Sequence, residues 1–210
     1  MEKPDSLIFD MDGTLWDAVD TYAASWNKVF TQMGIDIVVE RDRLAGMVGW
    51  EGKKVIKEIM PDFDDEKRMT IYKTVNEARH SMIPEMGGIM YDGVIEGLIK
   101  LESKYKLFIL SNCAAGIIRH FIDWAGIDHL ITDEFAHGVN FMPKNHNIHL
   151  LKDLHDLKNP VYIGDTAGDG EQSRIANVPF VFVSYGFGQT DDYDLKFDSF
   201  GDLTDYFMGL

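Results

Sequence analysis

The sequence predicts an α/β fold, a doubly wound parallel sheet interrupted by an all-helical insertion. Short apolar runs ending in polar residues alternate with stretches of helical period through most of the chain. After the first such run, residues 16–85 carry helical spacing alone. That first run, Leu7-Ile8-Phe9, stops at Asp10-Met11-Asp12-Gly13, where an open sheet places its ligand site.

Leu7 to Phe9 reads as a buried strand, and Gly13 lets the chain turn sharply away from it. Val19, Tyr22, Ala23, Trp26, Val29, Phe30 and Met33 recur at helical spacing up to Gly34. A second helical piece covers Leu44 to Val48. A third carries Val55, Ile56 and Ile59 and halts at Pro61. A fourth follows the acidic cluster Asp62 to Glu66, with Met69, Tyr72, Val75 and Met82, and ends before Pro84. Trp16 to Glu85 is therefore expected to be helical throughout, and Gly87-Gly88 reads as a hinge.

From Met90 the alternation returns. Val94, Ile95, Leu98, Ile99 and Leu101 form a helical stripe, and Leu107 to Leu110 a strand ending at Ser111-Asn112. Ile117, Ile118, Phe121, Ile122 and Ala125 form the next helix, closed by Gly126. A strand near Ile131 to Phe135, a polar loop from Asn140 to Asn147 and a helix from Ile148 to Leu157 follow. Val161 to Ile163 is a strand ending at Gly164-Asp165, and Pro179 to Val183 is another. Ser199 caps a last helix to Phe207. The expected division is residues 1–15 and 87–210 for the α/β core and 16–86 for a helical cap. Both crossings lie beside Asp10 and Asp12, which places the insertion to act as a lid.

With 210 residues, 45% of them hydrophobic, the chain can bury a sizeable core. Its net charge of −15 repels phosphate backbones and anionic lipid, so neither nucleic acid nor a membrane surface is an expected partner. A small anionic substrate would need local help from a metal, a lysine or backbone N–H groups. The one cysteine, Cys113, cannot form an internal disulfide and reads as a small buried hydrophobe, consistent with a reducing cytoplasm. No apolar run is long enough to cross a bilayer, and the N-terminus lacks a signal-peptide pattern.

Asp10 and Asp12 would repel each other in a dry pocket unless a cation sits between them or one takes a proton. Carboxylate oxygens without a nearby thiol or imidazole suit a hard cation such as Mg²⁺. The plainer alternative is an Asx-type turn closed by Gly13. Ser111 and Asn112 offer a hydroxyl and backbone N–H groups to an anion, or else simply cap a helix. Lys144, after Pro143, is by default a solvated surface lysine. A helix starting inside Gly164-Asp165-Thr166-Ala167-Gly168-Asp169 brings Asp165 and Asp169 to one side; alternatively, the two only favour a helix N-terminus.

Taken together these segments run in a distinctive order: strand and DxDGT, helical insertion, strand and SN, loop lysine, strand and GDxxxD. That order resembles the haloacid dehalogenase-like superfamily of phosphotransferases, in the branch with a helical cap after the first motif. Asp10 to Asp17 is similar to the first motif almost in full. Tyr91 to Leu98 resembles the core re-entry of phosphoglycolate-phosphatase-like members, and Asn177-Val178-Pro179 the turn before the last core strand. The resemblance implies a Rossmann-like core and a phosphatase acting on a small soluble phosphomonoester. Asp10 would be the nucleophile and Asp12 the general acid and base. Mg²⁺ would be held by Asp10, the Asp12 carbonyl and Asp165, with Asp169 behind them. Ser111, the Asn112 backbone and Lys144 would hold the phosphoryl oxygens. A monomer or homodimer is expected. A phosphomutase is the alternative, weighed against because no arginine follows Gly49; a silent regulatory binding protein is a further one. Trp50, Lys53 and Lys54 are the cap residues placed to touch substrate.

Overall fold

A computed structural model describes residues 2–210. Its strands in chain order are β1 (Ser6–Phe9), β2 (Trp16–Asp17), β3 (Ile89–Met90), β4 (Lys106–Ser111), β5 (Asp133–Ala136), β6 (Pro160–Gly164), β7 (Phe180–Val183) and β8 (Leu195–Phe197). Six of them form one sheet in the order β5-β4-β1-β6-β7-β8, with every neighbouring pair parallel. Successive side chains serve opposite layers. Leu7, Phe9, Leu107, Ile109, Val161 and Ile163 pack on one face; Ile8, Phe108, Leu110 and Tyr162 pack on the other. Both faces are covered, which is why these strands read as continuous apolar runs rather than as alternation.

The helices are α1 (Val19–Met33), α2 (Arg41–Ala45), α3 (Gly52–Ile59), α4 (Asp65–Met86), α5 (Val94–Glu102), α6 (Ile117–Ala125), α7 (His137–Asn140), α8 (Lys144–His155), α9 (Ala167–Ile175) and α10 (Phe200–Gly209). The buried faces of α5, α6 and α10 cover one side of the sheet. Ile148 and Leu151 of α8, with Ala176 after α9, cover the other. No helix of the described residues is long and apolar enough to cross a membrane.

Helices α1 to α4 make a separate helical layer in which α1 packs along α4. Trp26 of α1 packs on Phe30 and stacks on Tyr72 of α4, with ring centroids 5.5 and 6.0 Å apart. The layer is not helical from its first residue, as its spacing suggested. Trp16–Asp17 and Ile89–Met90 pair antiparallel as a two-residue ribbon where the chain leaves the sheet and returns. Trp16 is fully buried, tilted against Phe121 and Trp124 of α6 at 4.6 and 5.6 Å. The Thr21 hydroxyl donates to the Gly87 carbonyl across this ribbon at 2.6 Å.

Two further boundaries move. Asp64 caps α4 by accepting from the Lys67 N–H, so the acidic cluster is the helix start rather than a segment before it. At its other end α4 runs through Pro84. The proline removes only a bond to the His80 carbonyl, and Gly87 N–H closes on Ile83 at 2.8 Å. At the same level α4 meets α6, where His80 Nδ1 and His120 Nε2 lie 2.9 Å apart. Asn177 adopts the left-handed φ of 53° that its place in the turn before β7 requires.

Candidate active site

The chain fills the sheet outward from β1, first through β4 and β5, then through β6, β7 and β8. The crevice therefore opens at the C-terminal ends of β4, β1 and β6. Asp10 follows β1, Ser111 ends β4 and Asp165 follows β6. Asp10 N–H continues the ladder to the Ile163 carbonyl at 2.8 Å, so its side chain is fixed by sheet register.

Asp10, Asp165 and Asp169 each bring one carboxylate oxygen to within 4.8 Å of the others, and all three are buried. Lys144 reaches in from the first position of α8. Its Nζ lies 3.1 Å from Asp10 Oδ1 and 2.5 Å from Asp169 Oδ1. Lys144 is 3% exposed, so it is neither the solvated lysine nor the loop residue that its polar surroundings suggested. Burial would push its ammonium down, but Asp10 and Asp169 outweigh burial and hold it well above its ordinary value. Three carboxylates against one ammonium leave two negative charges if all are ionised.

Burial therefore drives Asp10 well above the usual carboxylate range, opposed by Lys144 and reinforced by Asp169, Asp165 and Asp12. Asp165 is raised to about 7 by burial and then by Asp169. Its Oδ2 accepts the Phe187 N–H at 2.7 Å, while Oδ1 is buried with no hydrogen-bond partner. Asp169 is more fully engaged. Its Oδ2 accepts from Thr166 N and Oγ1 at 3.0 and 2.6 Å, and Thr166 Oγ1 accepts the Asp169 N–H in return, closing a capping box on α9. The capping reading of Asp169 and its place in the acidic cluster hold together. An all-oxygen donor set, surplus negative charge and an orphaned buried oxygen on Asp165 fit a hard divalent cation such as Mg²⁺.

Asp12 turns the other way, and its carboxylate is outside that cluster. Its Oδ1 accepts from Tyr22 OH at 2.9 Å and Trp16 Nε1 at 3.0 Å. Burial raises it to about 6, while those two bonds and the Arg79 charge pull it down. Asp12 is thus able to hold or release a proton near neutral pH. Asp10, Asp12 and Ser111 line one cavity of ≈ 80 Å³ with Tyr22, Tyr72, Arg79 and Trp50 of the helical layer. The Asn112 side chain donates to the Gly49 carbonyl at 2.8 Å, tying the β4 end to that layer. The Cys113 thiol, also at this cavity, is pushed far up by burial and stays protonated. Lys54 lies over the Trp50 ring at 3.6 Å and lines a neighbouring groove with Lys144; exposed Lys53 lines neither.

Sequence reasoning missed the segment after β7. A Cβ on Gly186 would run into the Gly13 carbonyl and the Asp165 carboxylate, and one on Gly13 into the same carboxylate at a φ of +85°. Gly13 and Gly186 thus leave Asp165 the space it occupies. The paired glycines of Ser184-Tyr185-Gly186-Phe187-Gly188 were the available signal. Gly186→Ala is expected to displace Asp165 and lower kcat/KM on the order of 10²-fold, the scale of a misplaced site group. Mg²⁺ affinity by calorimetry should fall with it. Unchanged affinity would show that Asp165 tolerates the shift.

The family described as haloacid dehalogenase-like hydrolase matches residues 7–183. The chain is 26% identical over 219 residues to a phosphoglycolate phosphatase of Colwellia psychrerythraea, covering 97% of this chain and 96% of that one. It is 29% identical over 127 residues to the pyrophosphatase PpaX of Listeria monocytogenes, covering 60% and 56%. In fold it is similar to a haloacid dehalogenase-like hydrolase of Streptococcus pneumoniae, with a TM-score of 0.84, 19% identity and coverage of 99% and 100%. CbbY of Rhodobacter sphaeroides in complex with phosphate matches with a TM-score of 0.84, 16% identity and the same coverage.

Proposed function

The chain belongs to the haloacid dehalogenase-like hydrolase family, and on that premise we propose that it is an Mg²⁺-dependent phosphatase of a small soluble phosphomonoester. One observation carries the reading. A buried carboxylate, Asp10, shares a buried lysine with Asp169 and clusters with Asp165, beside a second acid, Asp12, poised at about 6. Asp10, Asp165 and the Asp12 carbonyl would hold Mg²⁺, with Asp169 behind them. The cation would neutralise the phosphate as Asp10 approaches it.

An Asp10 oxygen attacks phosphorus, and the bond from phosphorus to the ester oxygen breaks, leaving an aspartyl-phosphate. Asp12 gives its proton to that departing oxygen. Both of its hydrogen bonds fall on Oδ1, which leaves Oδ2 free to carry the proton. Water then attacks phosphorus, Asp12 takes the water proton, and phosphate leaves with Asp10 restored. Ser111, the Asn112 backbone and Lys144 hold the phosphoryl oxygens. Helices α1 to α4, within residues 16–86, act as the lid that excludes water from these steps.

The phosphoglycolate phosphatase relatives support a short substrate. A small phosphorylated metabolite is thus the partner. The lone thiol, Cys113, supports the cytoplasm as its location. The test is a panel of phosphoglycolate, sugar phosphates, nucleotides and pyrophosphate, with and without EDTA. Turnover of a small monoester that EDTA abolishes and Mg²⁺ restores is expected. No turnover anywhere favours a silent binding protein, and isomerised sugar phosphate favours a mutase.

A further inference from the structure

One charged group at the cavity has no part in the steps above beyond its field on Asp12. Arg79 of α4 is the only cationic side chain lining the space that holds Asp10 and Asp12, among the described residues. In a chain with 35 acidic residues it has no carboxylate at ion-pair distance among the described residues, whereas Arg41, Arg68, Arg119 and Arg174 each have at least one; the other arginine without one, Arg43, is exposed and donates to the Glu58 carbonyl. Its own hydrogen bonds are long: Nε donates to Ser25 Oγ at 3.3 Å and Nη1 to Asn76 Oδ1 at 3.4 Å. Nη2 donates to no acceptor among the described residues. Three rings hold the guanidinium in place, with Tyr22, Trp26 and Tyr72 at 5.0, 5.8 and 5.9 Å.

The position has a direction. The Tyr22 hydroxyl bonds Asp12, where the departing oxygen is protonated, and the ring of the same Tyr22 faces Arg79. One phenol therefore spans the distance from the scissile oxygen to the guanidinium. Around that span the lining is apolar: Leu44, Met47, Val55 and Ile117. A leaving group entering from Asp12 meets hydrophobic walls and then an unpaired fork of N–H donors. An uncharged end offers the guanidinium no counter-charge and at most a single acceptor, whereas a carboxylate accepts two parallel, charge-assisted bonds from it.

Resting on the phosphatase reading, we propose that Arg79 is a specificity residue of this chain, selecting a leaving group that ends in a carboxylate over one that ends uncharged. The experiment compares two esters of equal length in the full chain with Mg²⁺: 2-phosphoglycolate and 2-hydroxyethyl phosphate, whose end is uncharged. The wild type should favour the acid at least about 10-fold in kcat/KM, the scale of a charge-assisted pair. Arg79→Gln should erase most of that ratio, chiefly through KM for the acid. Arg79→Lys, which keeps the charge and loses the fork, should retain part of it and covers the case in which Arg79→Gln fails to fold. A parallel fall for both esters in either variant would mean that Arg79 acts only through Asp12 or through the three rings, and would overturn the inference. So would a wild type without preference for the acid. A wild type that cleaves an aryl phosphate but neither short ester overturns this inference and leaves the phosphatase reading standing. One that cleaves none of them overturns the phosphatase reading.

Discussion

Asp10→Asn is expected to lower kcat by about 10⁴–10⁶-fold, the order seen when a covalent nucleophile is removed. The amide is nearly isosteric but offers no anionic oxygen to phosphorus. The fold should survive, and here the electrostatics gives an independent sign. The folded protein holds Asp10 well above the ordinary value of 3.8, through burial and three acidic neighbours. A carboxyl raised in this way adds stability below its unfolded value, and that stability is lost as pH rises through the folded one. At pH 8, far above its unfolded value, Asp10 is thus a cost to the metal-free protein that the amide does not carry. Lys144 keeps Asp169 at 2.5 Å in the variant. In EDTA at pH 8 the variant should therefore melt no lower than the wild type, and Mg²⁺ should raise its Tm less. Thermal melts and hydrolysis of an aryl phosphate check both halves. Turnover at the wild-type rate would remove Asp10 from the nucleophile's role.

The parts of this site that were legible in the sequence are those carried by strand ends. A buried parallel strand declares itself as an apolar run, so the residues after Phe9, Leu110 and Ile163 could be placed at one edge of the sheet without coordinates. Lys144 was harder to place. The inward face of α8 is Lys144, Asn147, Ile148 and Leu151, a helical i, i+3, i+4, i+7 stripe in which two of four positions are polar. Those two residues mask the period, so the segment reads as a loop up to Asn147. The ribbon of Trp16–Asp17 with Ile89–Met90 and the edge strand Leu195–Phe197 are too short to carry any period. Tyr22 reads as one position of an apolar helical stripe and Trp16 as the start of the helical block. Both bodies are buried while their polar atoms reach Asp12, a division that hydropathy cannot register. Gly186 acts through the space that it leaves empty, and its one trace in the sequence is the closely paired glycines Gly186 and Gly188.

Lys144→Met is expected to cost about 3–5 kcal/mol in the metal-free protein at pH 8, because it strands two buried carboxylates whose only buried cation is gone. Methionine fills most of the volume, so a cavity contributes little to that figure. The pH dependence separates charge from packing. The Lys144 ammonium is held above its ordinary value, so in the wild type its contribution is in place throughout the range from pH 5 to 9. Asp10 and Asp165 already sit high, Asp165 at about 7, and stability from such groups fades as pH rises through their folded values. Without Lys144 both rise further, and the variant's loss of stability from pH 5.5 to pH 8 should be steeper than the wild type's. A packing defect would instead cost the same at both. Mg²⁺ supplies positive charge at the same carboxylates and should recover a large part of the difference at pH 8. It cannot recover the contact with the phosphoryl oxygens, so kcat should stay down by on the order of 10²–10³-fold even when the melt is restored. Urea denaturation at the two pH values, in EDTA and in Mg²⁺, reads all of this. Equal slopes for variant and wild type would mean that the carboxylates find their compensation elsewhere, and the charge balance drawn here around Asp10 would be wrong.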